Sequence, residues 1–300
     1  MHHRFFLRHL LRVCLLGLLI LGAVLCASCE QIPEVSELSL DPERTYPMTV
    51  TFLNIGKADC FLIESPSACV LIDTGKNGDA DEILSILNEK GIRKIDKLFI
   101  THFDKDHVGG ADRILRSLPV TTIYEPDYDS DSKQTAQYRA AIPAETEVIR
   151  LQENASWTLD GIRYEVDVAN GSFAADAGKD NYDNNMSLVV RATCGSVSVL
   201  FTGDVEQERL YEMLYENMDP CVLLKVPHHG LEEKYVRQLF DRVKPQYAVI
   251  TSSAKEPEDD SVVQNLQAGG CKVYLTRNGR VVFTTDGTSV SVNQIAGSNP

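Results

Sequence analysis

Positive charge is what this 300-residue sequence has least of: 29 lysines and arginines stand against 43 aspartates and glutamates, a formal net charge of −14. Such a balance repels a phosphate backbone at long range, so tight nonspecific nucleic-acid binding is not expected. A phosphorylated small molecule or polymer drawn in by a metal ion stays compatible. Beyond the first thirty residues no C-x-x-C pair occurs. Cys14, Cys26 and Cys29 fall in the first thirty residues, and Cys60, Cys69, Cys194, Cys221 and Cys271 are scattered singly. They read as small buried apolar residues rather than a thiolate metal site, with one disulfide left open in an oxidising compartment. An uncharged apolar run of the ~20 residues that suits a transmembrane helix is missing, as are fixed-period repeats. With 43% apolar residues the chain can still bury a substantial core.

The N-terminus differs from the rest. Arg4, Arg8 and Arg12 precede the apolar run 13–25, and small residues follow. This is the order of a secretory signal, so export to a bacterial cell surface is expected, with an uncleaved membrane anchor as the alternative. Cys26-Ala27-Ser28-Cys29 resembles a lipobox with Cys26 in place of the usual Leu, which makes Cys29 a candidate lipid acceptor. Either way, membrane association runs through residues 1–29. Residues 30–47 are acidic, carry Pro33, Pro42 and Pro47, and read as a tether. A single folded domain is expected over 48–293, with a tail at 294–300.

Strand patterns occur at 48–55, 60–63, 69–72, 97–100, 121–124, 187–192, 197–201, 222–226, 247–250 and 272–275. Helical periodicity appears at 80–89, 109–117 and 206–215. Strands alternating with amphipathic helices, in two halves of similar make-up, predict an α/β protein with two face-to-face sheets and helices outside them. The polar clusters fall where strands stop, the usual home of a site in layered α/β architectures.

One cluster is dense. The strand pattern Leu98-Phe99-Ile100-Thr101 runs into His102, Asp104, Asp106 and His107 before Gly109-Gly110. Imidazole and carboxylate together suit zinc, manganese or iron, whereas helix capping by Asp106 would need neither histidine. Asp204 follows a second strand in Thr202-Gly203-Asp204, and His228 and His229 follow a third in Pro227-His228-His229-Gly230.

Together these motifs resemble the metallo-β-lactamase fold hydrolases. Thr101 to Gly110 is similar to the H-x-H-x-D-H signature, and Asp73-Thr74-Gly75, the Asp204 motif and the His-His-Gly motif follow in family order. The nearest branch looks like the nuclease-like C-terminal domain of the DNA-uptake protein ComEC. Its D-V-G-Q-G-D corresponds to Asn54-Ile55-Gly56-Lys57-Ala58-Asp59 and its N-x-S-L to Asn185-Met186-Ser187-Leu188. The resemblance implies a four-layer αββα sandwich and two divalent ions, zinc or manganese. It implies that His102 and Asp104 hold one ion, that Asp106 and His107 hold the other, that Asp204 bridges them, and that His229 is the last histidine ligand. His228 is then expected behind the ligands or at the leaving oxygen, and Asp106 is expected to orient the nucleophile. Asp59, Asp73 and Asn185 are expected to support the ligands, although Asp59 and Asp73 alone read equally well as turn residues. Lys57 and Lys225 are candidate substrate contacts, Lys225 reading also as an exposed strand-end residue.

The implied activity is hydrolysis by a metal-activated hydroxide, with a phosphodiester as the leading substrate class. Another ester, a lactone or a cell-surface phosphocholine ester stays open, as does a silent metal-binding surface protein. β-Lactamase activity is least expected, because Asp104 replaces the second signature histidine. A further family histidine has Asn181, Asn184 and Asn185 in its region.

Overall fold

A computed structural model describes residues 35–41, 46–170, 181–216 and 218–296. The expected leader and its lipid-acceptor cysteine lie outside the described residues. The described residues build two sheets. The first has nine strands in the spatial order β1 (Ser36–Glu37), β16 (Ser289–Ile295), β15 (Arg280–Thr285), β2 (Met48–Phe52), β3 (Phe61–Glu64), β4 (Cys69–Ile72), β5 (Ile95–Phe99), β6 (Val120–Pro126) and β7 (Glu147–Leu151). The second has seven: β14 (Lys272–Leu275), β13 (Tyr247–Ile250), β12 (Leu223–Lys225), β11 (Val197–Phe201), β10 (Val189–Cys194), β9 (Ile162–Asp167) and β8 (Ala155–Leu159).

Each sheet is part antiparallel and part parallel. Pairing is antiparallel from β16 to β4 and from β8 to β11, then parallel from β4 to β7 and from β11 to β14. The parallel strands are joined by helices α1 (Ala80–Glu89), α2 (Ala111–Ser117), α3 (Lys133–Ala141), α5 (Gln207–Tyr215), α6 (Val236–Val243) and α7 (Asp260–Ala268); a short α4 (Tyr182–Asn185) precedes β10.

Strand alternation sorts the apolar residues into layers. Phe61 and Ile63 on β3, Val70 and Ile72 on β4, and Val199 and Phe201 on β11 face the space between the sheets. Leu62, Leu71 and Leu98 turn outward to α1, α2 and α3, while Leu200, Leu224 and Ile250 turn outward to α5, α6 and α7. The result is the expected four-layer sandwich. Phe52, Phe61 and Phe201 meet at its centre with ring centroids 5.1, 5.8 and 5.4 Å apart. All five cysteines of the folded part are buried and free.

Several boundaries differ from expectation. The strand expected over 48–55 ends at Phe52, because Gly56 takes φ 82° and turns the chain into a loop carrying Asp59. The segment expected as a tether supplies the edge strand β1, paired to β16, which itself runs to Ile295. What matters for the site is where strands end: β4, β5, β11, β12 and β13 all stop within three residues of a polar group that enters it.

Candidate metal centre

Asp73, one residue beyond β4, is fully buried and organises the ligand loop. Its Oδ1 accepts the Thr101 N–H at 2.8 Å and its Oδ2 accepts the Thr101 hydroxyl at 2.7 Å. The same Oδ2 lies 2.9 Å from His107 Nδ1. The residue needs φ 57° to do this, a strained angle that Asp tolerates better than most residues. The loop is held from outside as well: the Thr74 N–H and hydroxyl both donate to the His107 carbonyl at 2.7 Å. A Cβ on Gly110 would collide with the Thr74 carbonyl oxygen, so this close approach requires glycine.

With Nδ1 engaged, each histidine turns Nε2 inward. His102 Nδ1 lies 3.1 Å from the Thr101 hydroxyl and 3.2 Å from that of Ser187. His229 Nδ1 lies 2.9 Å from both the carbonyl and the hydroxyl oxygen of Thr251, just past β13. The Nε2 atoms of His102, His107 and His229 are buried and none makes a hydrogen bond. Three such orphaned nitrogens would cost about 1–3 kcal/mol each without a partner.

The carboxylates supply that partner's counter-charge. Asp204 Oδ2 lies 3.2 Å from His107 Nε2 and 3.0 Å from His229 Nε2, Asp106 Oδ2 is 3.7 Å from His229 Nε2, and Asp104 Oδ2 is 3.9 Å from His102 Nε2. Two donor atoms on one tetrahedral zinc sit roughly 3.4 Å apart, given bonds of 2.0–2.1 Å. His102, His107 and Asp204 form one convergent set of potential ligand atoms, and Asp106, His107 and His229 another. The residues therefore fit divalent ions, with Asp104 at the exposed edge.

The charges are balanced inside the protein. Burial and the neighbouring His107 push the His102 imidazole down to about 4, so it is neutral near pH 7. Burial opposes charge on His107 too, but the carboxylates of Asp204 and Asp73 outweigh it and raise the imidazole well above its usual value. Asp204 stays ionised against its burial because His229, His107 and Lys225 surround it.

Two expected roles need correction. Lys225 is fully buried rather than exposed or in contact with substrate: its Nζ lies 2.5 Å from Asp59 Oδ2 and donates to Asp204 Oδ1 at 3.0 Å and the Gly203 carbonyl at 2.8 Å. The ammonium is thus held behind the candidate ligands by two hydrogen bonds and two ion pairs. Asn185 makes no contact with a ligand. Its side-chain carbonyl accepts the N–H groups of Glu206 and Arg209 at 3.1 Å and so caps α5, the helix that follows Asp204. Asp59 does stand behind the ligands, accepting the Thr251 hydroxyl at 2.6 Å.

His228 lines the cleft beside His229, its Nδ1 3.1 Å from Glu233 Oε1 and 3.5 Å from Glu206 Oε1. Both histidines adopt left-handed backbone, φ 45° and 54°, a cost of about 1–2 kcal/mol each. Gly230 continues the turn at φ 79°, where a Cβ would lie 2.8 Å from Ile250. Lys57 also lines the cleft, at its mouth. Thr101, Ser187, Thr251, Glu206 and Glu233 were not anticipated. A lone Ser, Thr or Glu carries no ligand signal, and only the strand end before Thr251 and the N-x-S-L run around Ser187 hinted at them.

The Metallo-beta-lactamase superfamily profile matches residues 53–252, two-thirds of the sequence. The chain belongs to the metallo-β-lactamase superfamily. Members are metal-dependent hydrolases, and proteins of this fold bind divalent metals, often two. Within the superfamily the chain is similar to ComEC-like competence proteins. It is 27% identical to competence protein ComA of Neisseria gonorrhoeae over 76% of this chain and 30% of that protein. It is 25% identical to ComE operon protein 3 of Bacillus subtilis (strain 168) over 78% of this chain and 32% of that protein. The chain thus spans about a third of the length of these relatives. Among solved structures, YhfI, a metallo-β-lactamase fold protein of Bacillus subtilis, superposes with a TM-score of 0.52 at 14% identity, covering 83% of this chain and 100% of that one. The diiron β-hydroxylase CmlA of Streptomyces venezuelae gives 0.55 at 14% identity, covering 81% and 55%. Both likenesses concern the metallo-β-lactamase fold alone.

Proposed function

We propose that this metallo-hydrolase is an exported phosphodiesterase working with two divalent ions, zinc or manganese. His102, Asp104 and Asp204 would hold one ion, and Asp106, His107, His229 and Asp204 the other. Bound there, the ions would supply Lewis acidity, a nucleophile at neutral pH and neutralisation of developing negative charge. The observation that supports a phosphodiester is the cleft over the ligands: about 640 Å³, with no apolar side chain among the described residues that line it. Small-molecule pockets are usually lined by apolar side chains, so a charged lining that includes three lysines favours an anionic phosphate ester over a lactone or β-lactam.

The protein's own work is positioning. Asp73 holds a proton on His107 Nδ1 and Thr251 one on His229 Nδ1, which leaves each Nε2 for a ligand. Asp106 is kept ionised by His107 and His229 against its burial, and its carboxylate accepts a proton of the attacking water and fixes its line of approach. His228, oriented by Glu233 and Glu206, offers Nε2–H to the leaving oxygen. Export rests on the basic and apolar leader.

Purified full-length protein with zinc or manganese should hydrolyse bis-p-nitrophenyl phosphate. His107→Ala should lose roughly 100-fold or more, since even partners behind a metal ligand are worth 10–100-fold. Absence of turnover with either ion would favour a second reading, a metal-binding surface protein. Its support is the half-exposed Asp104 and the hydroxyl of Ser187, rather than a further histidine, beside His102.

A further inference from the structure

Beyond its ligands, the cleft has a charge opposite to that of the chain. Lys57, Lys76 and Lys105 all line it, against one carboxylate outside the ligand set, Glu256. They arrive from three loops: Lys57 after β2, Lys76 after β4 and Lys105 within the ligand loop. Lys105 is exposed and the other two are half-buried. Among the described residues neither Lys57 nor Lys105 has a carboxylate at ion-pair distance, and Lys76 reaches only Glu256, at 3.7 Å with both side chains well exposed. Lys90, 2.7 Å from Glu64, and Lys94, 2.6 Å from Asp96, have close carboxylate partners and other surface lysines among the described residues do not; what sets Lys57, Lys76 and Lys105 apart is that they share one opening. In a chain of net charge −14, three lysines gathered around one opening make a local excess of the opposite sign. Their mutual repulsion is relieved by an anion, and a cleft with low-dielectric walls focuses such a field.

We propose that Lys57, Lys76 and Lys105 form a subsite for a second anionic group. The preferred substrate is then a phosphodiester that carries a further phosphate beside the scissile one. This inference rests on the phosphodiesterase reading and adds to it a requirement on the rest of the substrate. Lysine suits the task, since a flexible point charge accepts a phosphate at a range of positions. Lys57 stands where the ComEC-like pattern has Gln, so part of the positive rim belongs to this chain in particular.

Calorimetric binding to the metal-loaded full chain tests the subsite without requiring turnover, with thymidine 3′,5′-bisphosphate compared against thymidine 5′-monophosphate. The bisphosphate should bind roughly tenfold or more tighter at low salt, and this preference should shrink as salt screens the rim. In the triple variant Lys57→Gln/Lys76→Gln/Lys105→Gln, checked for wild-type metal content, the preference should fall to about twofold or less. Lys57→Gln and Lys105→Gln singly should each lower it in part. Equal affinities in the wild type, a salt-independent preference, or one that survives in the triple variant would overturn the subsite. Turnover of bis-p-nitrophenyl phosphate by the same preparation reports separately on the phosphodiesterase reading, because that diester has no second anion.

Discussion

Two histidines five positions apart carry opposite proton affinities, and this fixes how the centre fills. His102 is neutral near pH 7, whereas His107 holds its proton between Asp73 and Asp204. A divalent ion taking His107 Nε2 must therefore displace a proton. Binding at pH 7 should release close to one proton from His107 and none from His102, and affinity should rise with pH until His107 is neutral in the free protein. Calorimetry in buffers of different ionisation enthalpy reads that number; no release at all would contradict the assignment. Lys225 makes a second case. Its ammonium compensates Asp59 and Asp204 at once, so Lys225→Met leaves the buried Asp59 without its ammonium partner and Asp204 with one cation fewer. Loss of one partner of a buried pair costs about 3–5 kcal/mol, which urea unfolding of the metal-free protein should show. The sequence suggested a substrate contact here because a lysine at a strand end is usually exposed. Only the packing of β12 between β11 and β13 turns it inward.

Elements explain which parts of the fold were legible. The ranges of α1, β4, β11 and β13 agree with expectation to the residue, because each is bounded by a turn signal and buries an apolar pattern of the right period. Strands β8 and β9 and helix α3 were missed: β8 exposes alternate polar residues, and α3 buries only Thr135 and Tyr138. Helix α3 therefore offers no strong apolar periodicity, whereas β9 alternates strictly, with Ile162, Tyr164 and Val166 buried, and its pattern was there to be read. The convergence of the candidate ligands was legible, since each sits one to four residues past a strand or inside the signature loop. The hydroxyl and carboxylate partners were not, because they come together only when strands distant in sequence align their ends. Asn185 shows the same limit. It shares a neighbourhood with the site yet serves α5, whose first turn it caps through Glu206 and Arg209. Asn185→Ala should cost roughly 0.5–2 kcal/mol in chemical denaturation, as loss of a helix cap does, with the number of bound metal ions unchanged.

At the scale of the molecule, two sheets that each change from antiparallel to parallel place five strand ends around one cleft. That geometry explains how ligands as distant in sequence as His102 and His229 converge without a disulfide among the described residues. It also separates duties: the aromatic centre between the sheets holds the layers, and the loops beyond them carry the chemistry. The most direct test of this account is the metal content of the purified full-length protein by elemental analysis, alongside His107→Ala. The convergent ligand atoms predict two divalent ions per chain, with the variant dropping to one or fewer because the ion held by Asp106, His107, His229 and Asp204 loses a ligand. A wild-type protein that holds no divalent ion after incubation with zinc or manganese, or that keeps its full complement in His107→Ala, would contradict it.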